Sequence, residues 1–323
     1  MKILAVVLAG GEGTRLWPLT RSDSKPAIVV AGRCRLIDFV LSSLVNSGVD
    51  HIGVVLQYKP QSLLDHLEEV WDDRDRTGRR LVEAILPESG ETNGAIRGTL
   101  DAVRRCRDLI RSEQPDLVAV FAADHVYRMD VRQMADFHVA RRADVTIGAV
   151  PVPIAEARRF GVITALPDGR VRRFEEKPAL PTPMASSRDR VLASMGNYLF
   201  RPDLLLELLD EAHECGHTDI GHHLLPGLSE RCRTYAYDLR RNMVPGLAPG
   251  EEPGYWRDVG TLESLEHARV ELGSLLPALR LWNPAWPIRG AQVVLGENRM
   301  WPEGRSTWAR SGSDHRAAAT QPG

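Results

Sequence analysis

An apolar run from Ile3 to Ala9 passes directly into Gly10-Gly11-Glu12-Gly13-Thr14-Arg15-Leu16. Closely spaced glycines let backbone N–H groups approach an anion, and Arg15 adds a forked, charged donor, so the stretch suits a phosphate cradle. The same glycines would equally serve a tight turn after a strand. The spacing is neither GxxxxGK[ST] nor GxGxxG, and Pro18 and Pro26 interrupt the helix that a dinucleotide fold would start here.

Asp124 follows the apolar run Leu117 to Ala122, which places it at the carboxyl end of a strand, where open α/β sheets bind ligands. A carboxylate there suits Mg²⁺, a hard cation that takes oxygen ligands and keeps waters and substrate phosphates as its other partners. Asp258, in Tyr255-Trp256-Arg257-Asp258-Val259-Gly260, is the candidate second ligand, although a single Asp at a strand end also serves as a cap or turn residue. In Glu175-Glu176-Lys177-Pro178, Lys177 is a compact charge able to hold a phosphate monoester, and an exposed Glu-Lys pair before Pro is also what a solvated strand end looks like. Lys25-Pro26 carries the same two readings. His213, Cys215, His217, His222 and His223 crowd together without a zinc-ligand spacing, and Arg104, Arg105, Arg107 and Arg111 lie largely on the polar side of a periodic helix.

These residues need elements to position them. Runs rich in apolar and β-branched residues at Ile3 to Ala9, Ile52 to Leu56, Leu81 to Leu86, Leu117 to Ala122 and Val145 to Val150 are each too short for a helix and predict strands. Between them, helical spacing appears in Leu36, Ile37, Val40, Leu41, Leu44 and Val45, in Leu63 to Val70, and in Leu100, Val103, Cys106, Leu109 and Ile110. Strands that are apolar throughout and alternate with helices predict an α/β fold, doubly wound, with a mostly parallel sheet. Gly161 to Leu166 and Val171 to Glu175 flank the turn signal Pro167-Asp168-Gly169-Arg170 and predict an antiparallel addition. Ala193 to Phe200 reads as a further strand, Pro202 to Glu214 as a helix opened by Pro, and Thr261 to Gly273 as a helix with Thr261 as N-cap. Pro178 to Arg190 reads as a polar loop and Gly296 to Gly323 as a frayed tail.

Composition narrows the classes. With 323 residues and 43% hydrophobic content the chain can bury a substantial core, and 27 Gly with 21 Pro is far from low complexity. Lys and Arg number 41 against 43 Asp and Glu, a net charge of −2, which argues against a nucleic-acid partner. Four widely spread cysteines without a CxxC pair point to reduced thiols and a cytoplasmic setting. Ile3 to Ala9 is too short for a signal sequence, and no stretch reaches the roughly 20 apolar residues of a membrane helix, so a soluble protein with no membrane partner is expected.

In order along the chain, Leu8 to Leu16 with Pro18-Leu19-Thr20, Lys25-Pro26-Ala27, Arg35 to Phe39, Asn46-Ser47-Gly48, Gln57-Tyr58, Arg97-Gly98-Thr99, Asp124 to Tyr127, Phe160-Gly161-Val162, Glu176-Lys177-Pro178, Ala193 to Gly196, Tyr255 to Gly260 and Trp286 to Arg289 form a set. This set resembles the sugar-1-phosphate nucleotidyltransferases, and within them the members that make ADP-glucose, across about residues 1 to 290. The resemblance implies a nucleotide-diphospho-sugar transferase type of sheet and Mg²⁺-dependent transfer of AMP from ATP to glucose-1-phosphate, with pyrophosphate as the other product. It implies that Gly10, Gly11, Gly13, Thr14 and Arg15 hold the triphosphate, with Lys25 and Lys177 as further catalytic charges. Gln57, Gly98 and Thr99 would lie around the base, Asp124 and Asp258 would bind Mg²⁺, and Gly161, Glu176, Lys177 and Ser194 would bind the sugar phosphate.

The chain also departs from the pattern. Ala95-Ile96 stands where the family has a Trp-Tyr pair, which opens the choice of base to UTP, dTTP or GTP. Ala123 replaces a glycine and Leu100 a small residue, so crowding of the site is expected from both. Arg21-Ser22-Asp23-Ser24 lacks the basic run of activator-sensitive members. The expected organisation is a catalytic domain over 1–290, with an irregular tail over 291–323 in place of the family's C-terminal β-helix. A homo-oligomer is possible on this reading, and so is an impaired subunit that only binds nucleotide.

Overall fold

The computed structural model describes residues 1–74, 78–86 and 96–290. The first apolar run is strand β1 (Ile3–Ala9). Its alternating side chains are buried on both sides: Ile3, Ala5, Val7 and Ala9 join one core cluster, Leu4 and Val6 another. A strand apolar on both faces requires cover on both faces, which is why this sequence builds layers of helices around a central sheet.

Strands β2 (Val29–Ala31) and β3 (Cys34–Arg35) form a small antiparallel ribbon, while β4 (His51–Leu56), β5 (Val82–Ile85) and β6 (Leu117–Ala122) run parallel with β1 in the order β6-β1-β4-β5. Beyond β6 the sheet continues through the long antiparallel β11 (Arg190–Phe200) to β8 (Val145–Pro153) and then to β12 (Thr234–Asp238), which lies parallel to β8. Strand β12 is short and polar at its ends, and no expectation covered it. The predicted hairpin is β9 (Gly161–Ala165) and β10 (Val171–Glu176). It joins the sheet through β9 against Leu192 and Ala193 of β11, on the edge of β11 whose Asn197 to Phe200 pair with β6. The hairpin therefore extends the sheet past the carboxyl end of β6.

Helix α1 (Leu36–Asn46) buries the apolar stripe read from its spacing, and its Asp38 carboxylate accepts from the Arg35 backbone N–H, closing the first turn. Asp38 is fully buried and also accepts from Trp71 Nε1 at 2.8 Å, with His66 Nε2 at 2.7 Å, so helix α2 (Gln61–Val70) is tied to α1 through a satisfied polar centre. The stripe Leu100 to Ile110, expected as one helix, is split into α3 (Thr99–Arg104) and α4 (Arg107–Glu113). The Cys106 N–H bonds Val103 three residues back, which tightens the chain there while Leu100, Val103, Cys106 and Ile110 stay in one cluster. Helices α5 (Val131–Ala140), α6 (Pro202–Glu214) and α7 (Leu225–Arg231) follow, and α8 (Leu262–Leu272) starts at Thr261, whose hydroxyl accepts from the Ser264 N–H.

Two short strands stand off the main sheet, β7 (His125–Tyr127) and β13 (Trp256–Asp258), paired antiparallel with Asp258 opposite His125. Behind them lies a third small core. Leu16 from the glycine loop, Val126 of β7, Val259 beside Asp258 and Leu265 of α8 are each 0% exposed within it. That core anchors three distant segments, each one residue from a chemistry-bearing side chain. Among the described residues, no helix is long and apolar enough to cross a membrane.

Candidate active site

The glycine loop emerges from β1 and folds onto Lys25. Gly13 has φ +66°, and a Cβ there would stand 2.8 Å from the Cβ of Lys25, so only glycine fits both the backbone and the space. The Gly13 carbonyl accepts from the Leu16 N–H and the Thr20 hydroxyl, and the Gly11 carbonyl accepts from the Lys25 N–H. Gly10 is packed on Gln57, since a Cβ there would lie 2.9 Å from Gln57 Oε1.

Asp124, just past β6, and Asp258, at the end of β13, meet where the loop ends. Lys25, 9% exposed, places Nζ 2.8 Å from Asp124 Oδ2 and 3.7 Å from Asp258 Oδ1. His125 stands 3.1 Å from Asp124 Oδ1 through Nδ1 and 3.8 Å from Asp258 Oδ1 through Nε2. One ligand atom from each of Asp124, His125 and Asp258 lies within 4.8 Å of the others. Arg159 Nη2 is 2.5 Å from Asp258 Oδ2, and Gly260 lies between that carboxylate and Arg15: a Cβ there would stand 3.0 Å from Asp258 Oδ2 and 3.3 Å from Arg15 Nη2.

Desolvation would push the Asp124 carboxyl up, but His125 and Lys25 outweigh it and hold the group well below the usual carboxylate range. Asp124 is therefore an anion at neutral pH. Its Oδ1 is buried, and neither it nor His125 Nδ1 makes a hydrogen bond with the geometry of one. A buried carboxylate oxygen without a donor, beside a second carboxylate, is a donor set that fits a hard divalent cation.

The hairpin supplies a second wall. Glu176 closes β10 opposite Gly161, where a Cβ would strike the Phe174 ring and lie 3.0 Å from Glu176 Oε2. Gly221 approaches the same oxygen from the other side: a Cβ there would be 2.9 Å from Glu176 Oε2 and 3.4 Å from Asp219 Oδ1. Lys177 has φ +46°, donates its N–H to the Phe160 carbonyl and sets Nζ 2.8 Å from Glu176 Oε1, with its side chain 60% exposed. Ser194 Oγ accepts from the Gly196 N–H and lies 3.5 Å from the Tyr198 hydroxyl. Burial raises the Tyr198 phenol, and Glu176, Asp219 and Asp124 add to the shift, so it stays protonated between the two carboxylate groups.

On the third side, Gln57 Nε2 donates to the Ile96 carbonyl at 2.6 Å. Gly98 has φ +86° and packs on the Thr218 carbonyl, which accepts from the Leu100 N–H. The Thr99 hydroxyl is engaged within the protein, accepting from the Ile220 N–H and donating to Asp219 Oδ2.

The structure thus gathers Gly10, Gly11, Gly13, Arg15, Lys25, Asp124 and Asp258 at one place, with Gly161, Glu176, Lys177 and Ser194 on the hairpin side and Gln57, Gly98 and Thr99 on the other. Thr14 opens the short turn Thr14–Leu16 within the loop. Leu100 and Ala123, expected to crowd the site, are buried in the core clusters instead. Ala95 lies outside the described residues, as does the segment 291–323. Sequence reasoning gave no role to His125, Arg159, Asp219 or Tyr198. His125 adjoins Asp124 and was open to notice, whereas Arg159 reads as half of a solvated Arg pair. In the histidine cluster, His217 stacks on His223 at 4.9 Å, and the only metal-competent group among the described residues is the one at Asp124. Arg104 and Arg107 are paired with Asp101 and Asp210.

Comparison with known proteins identifies a family. The family model described as nucleotidyl transferase matches residues 4–274. A glucose-1-phosphate adenylyltransferase of Thermodesulfovibrio yellowstonii is 42% identical over 292 residues, 90% of this chain and 71% of the relative. Proteins of the same name from Geobacter metallireducens and Thermus thermophilus are 44% and 43% identical, over 88% and 91% of this chain and 69% and 72% of their own lengths.

Proposed function

The chain belongs to the nucleotidyl transferase family, and from that premise we propose that it is a Mg²⁺-dependent adenylyltransferase joining ATP and glucose-1-phosphate. The observation that carries the reading is the meeting of Asp124, Asp258 and Lys25 at one point between the glycine loop and the Glu176–Lys177 wall. A phosphate oxygen of glucose-1-phosphate attacks the α-phosphorus of ATP; the new P–O bond forms as the bond to the bridging oxygen of the β-phosphate breaks, giving ADP-glucose and pyrophosphate. No residue need become covalently attached, so catalysis rests on alignment and on neutralising charge at the transferring group.

The backbone of Gly10, Gly11, Gly13 and Thr14 cradles the triphosphate, and Arg15 and Lys25 offset its charge. Asp124 and Asp258 would hold Mg²⁺, which when bound supplies further positive charge to the phosphates. Lys177, exposed beside Glu176, takes the phosphate of the sugar, while Glu176 and Ser194 accept from its hydroxyls. Gln57, Gly98 and Thr99 shape the base pocket. The product would feed synthesis of glycogen or another α-glucan.

A second reading keeps the chemistry and changes the base, because Ala95-Ile96 supplies no aromatic ring where the family has a Trp-Tyr pair. One assay separates the readings: pyrophosphate release with glucose-1-phosphate and ATP, UTP, dTTP or GTP in turn, with and without Mg²⁺. ATP is expected to be used at least about tenfold better in kcat/KM. Release with another nucleotide instead moves the base assignment, and no release with any would leave a binding subunit.

A further inference from the structure

The loop that carries Asp219 is held from below by His223. Both backbone N–H groups of Thr218 and Asp219 donate to His223 Nδ1, at 3.4 and 3.1 Å, and the His223 N–H donates back to the Asp219 carbonyl at 3.0 Å. The ring nitrogen that accepts these bonds must present its lone pair, which places the ring proton on Nε2. His217 lies flat against the ring, 11° from parallel, and fixes its plane. Asp219 is thereby tied at every polar atom, since its carboxylate accepts from the His222 N–H at 2.9 Å and from the Thr99 hydroxyl at 3.3 Å.

We propose that His223 is a positioning residue for the sugar-phosphate side of the site, acting through Asp219 and Gly221. This rests on the reading of Glu176, Lys177 and Ser194 as the sugar-phosphate wall. Gly221 faces Glu176 and Asp219 so closely that a Cβ there would lie 2.9 Å from Glu176 Oε2, and a shift of the 218–221 backbone toward that wall therefore bears on the Glu176 carboxylate. The same loop also touches the base side, where the Thr218 carbonyl accepts from the Leu100 N–H and Thr99 bonds Asp219 and Ile220, but that side has a second anchor in Gln57, which donates to the Ile96 carbonyl. A histidine cluster that matches no metal pattern thus has a structural purpose: one ring accepts two loop N–H groups and a second ring braces it.

The test compares wild type with His223→Ala and His223→Asn. The Asn side-chain oxygen sits one bond from Cγ, as Nδ1 does, and can accept the same two bonds. In His223→Ala, amide exchange over 216–221 is expected to quicken, with the KM for glucose-1-phosphate rising about fivefold or more and that for the nucleotide, which keeps its Gln57 anchor, rising by a smaller factor. His223→Asn is expected to restore both exchange protection and KM. An unchanged sugar-phosphate KM in His223→Ala, or an Asn variant as impaired as the Ala variant, would overturn the proposal. Should His223→Ala not fold, His223→Gln takes its place: its oxygen lies one bond further out, and Gln performing as well as Asn counts against the geometry. A wild type that releases no pyrophosphate would sink the proposed function. Exchange over the loop would then still decide whether His223 holds it, with equal rates in all variants overturning that hold.

Discussion

Lys25 stands 2.8 Å from Asp124 and 3.7 Å from Asp258, so a single ammonium group faces two carboxylates that arrive from different sheets. Replacing Asp124 by Asn keeps an oxygen for Lys25 to donate to but removes the charge. Asp124→Asn is expected to lower kcat for pyrophosphate release by about 100-fold or more, with the melting temperature within a few degrees of wild type. Turnover near the wild-type rate would remove Asp124 from the metal site.

Arg159 competes with any cation at Asp258, because its guanidinium occupies Oδ2 at 2.5 Å. Arg159→Gln is expected to bind Mn²⁺ about threefold or more tightly in the absence of substrates, since a positive charge beside the site is gone. Titration followed by electron paramagnetic resonance reads this directly, and weaker binding would show that Arg159 supports the site instead.

Gly161 has no room for a methyl group between the Phe174 ring and Glu176. Gly161→Ala should push Glu176 from its place and raise the KM for glucose-1-phosphate about tenfold, with a much smaller change for the nucleotide. Equal effects on both substrates would argue that the hairpin wall serves the nucleotide.

Lys177, whose side chain is exposed and whose ammonium pairs with Glu176, is expected to act on one substrate alone. In Lys177→Ala the glucose-1-phosphate KM rises, each tenfold loss of kcat/KM amounting to about 1.4 kcal/mol. An unchanged KM would move the phosphate position elsewhere.

Acid sensitivity has an identifiable source away from the site. His138 is buried, its Nδ1 lies 2.9 Å from the Thr146 hydroxyl, and desolvation lowers its pKa to about 4. The unfolded chain, with an ordinary histidine near 6.5, binds the proton first, so stability is present in full above that value and is lost as pH falls toward 4. The loss amounts to about 3 kcal/mol at most. Wild type should lose melting temperature more steeply than His138→Gln between these limits; parallel curves would contradict the assignment.

Much of this architecture is legible in the residues. The strands β1, β4 and β6 are apolar at every covered residue except His51 at the start of β4, and Pro167-Asp168-Gly169 announces the hairpin. Asp124 is legible because strand ends in such sheets are where ligands sit. The partnership of Asp124 with Asp258 is legible from residue type and motif and not from periodicity, for the elements that build it, β7 and β13, are three-residue strands too short to carry a period. The division of α3 from α4 is hidden because both halves bury one continuous stripe, and spacing reports the stripe and not the backbone beneath it. Arg159 gains its role from Asp258 and Asp219 from Thr99, neighbours distant in the chain, and no local pattern encodes such proximity.

Strand β11 makes one more point. Its later residues are bonded to β6, which leads to Asp124, and its earlier residues to β9, which begins at Gly161. The gap between the two reactant halves is therefore set along one strand, whose ladder is interrupted between Ser194 and Tyr198, where Gly196 takes φ +71°. Loop changes can alter how firmly each reactant is gripped, but the yardstick between them changes only if that ladder slips its register.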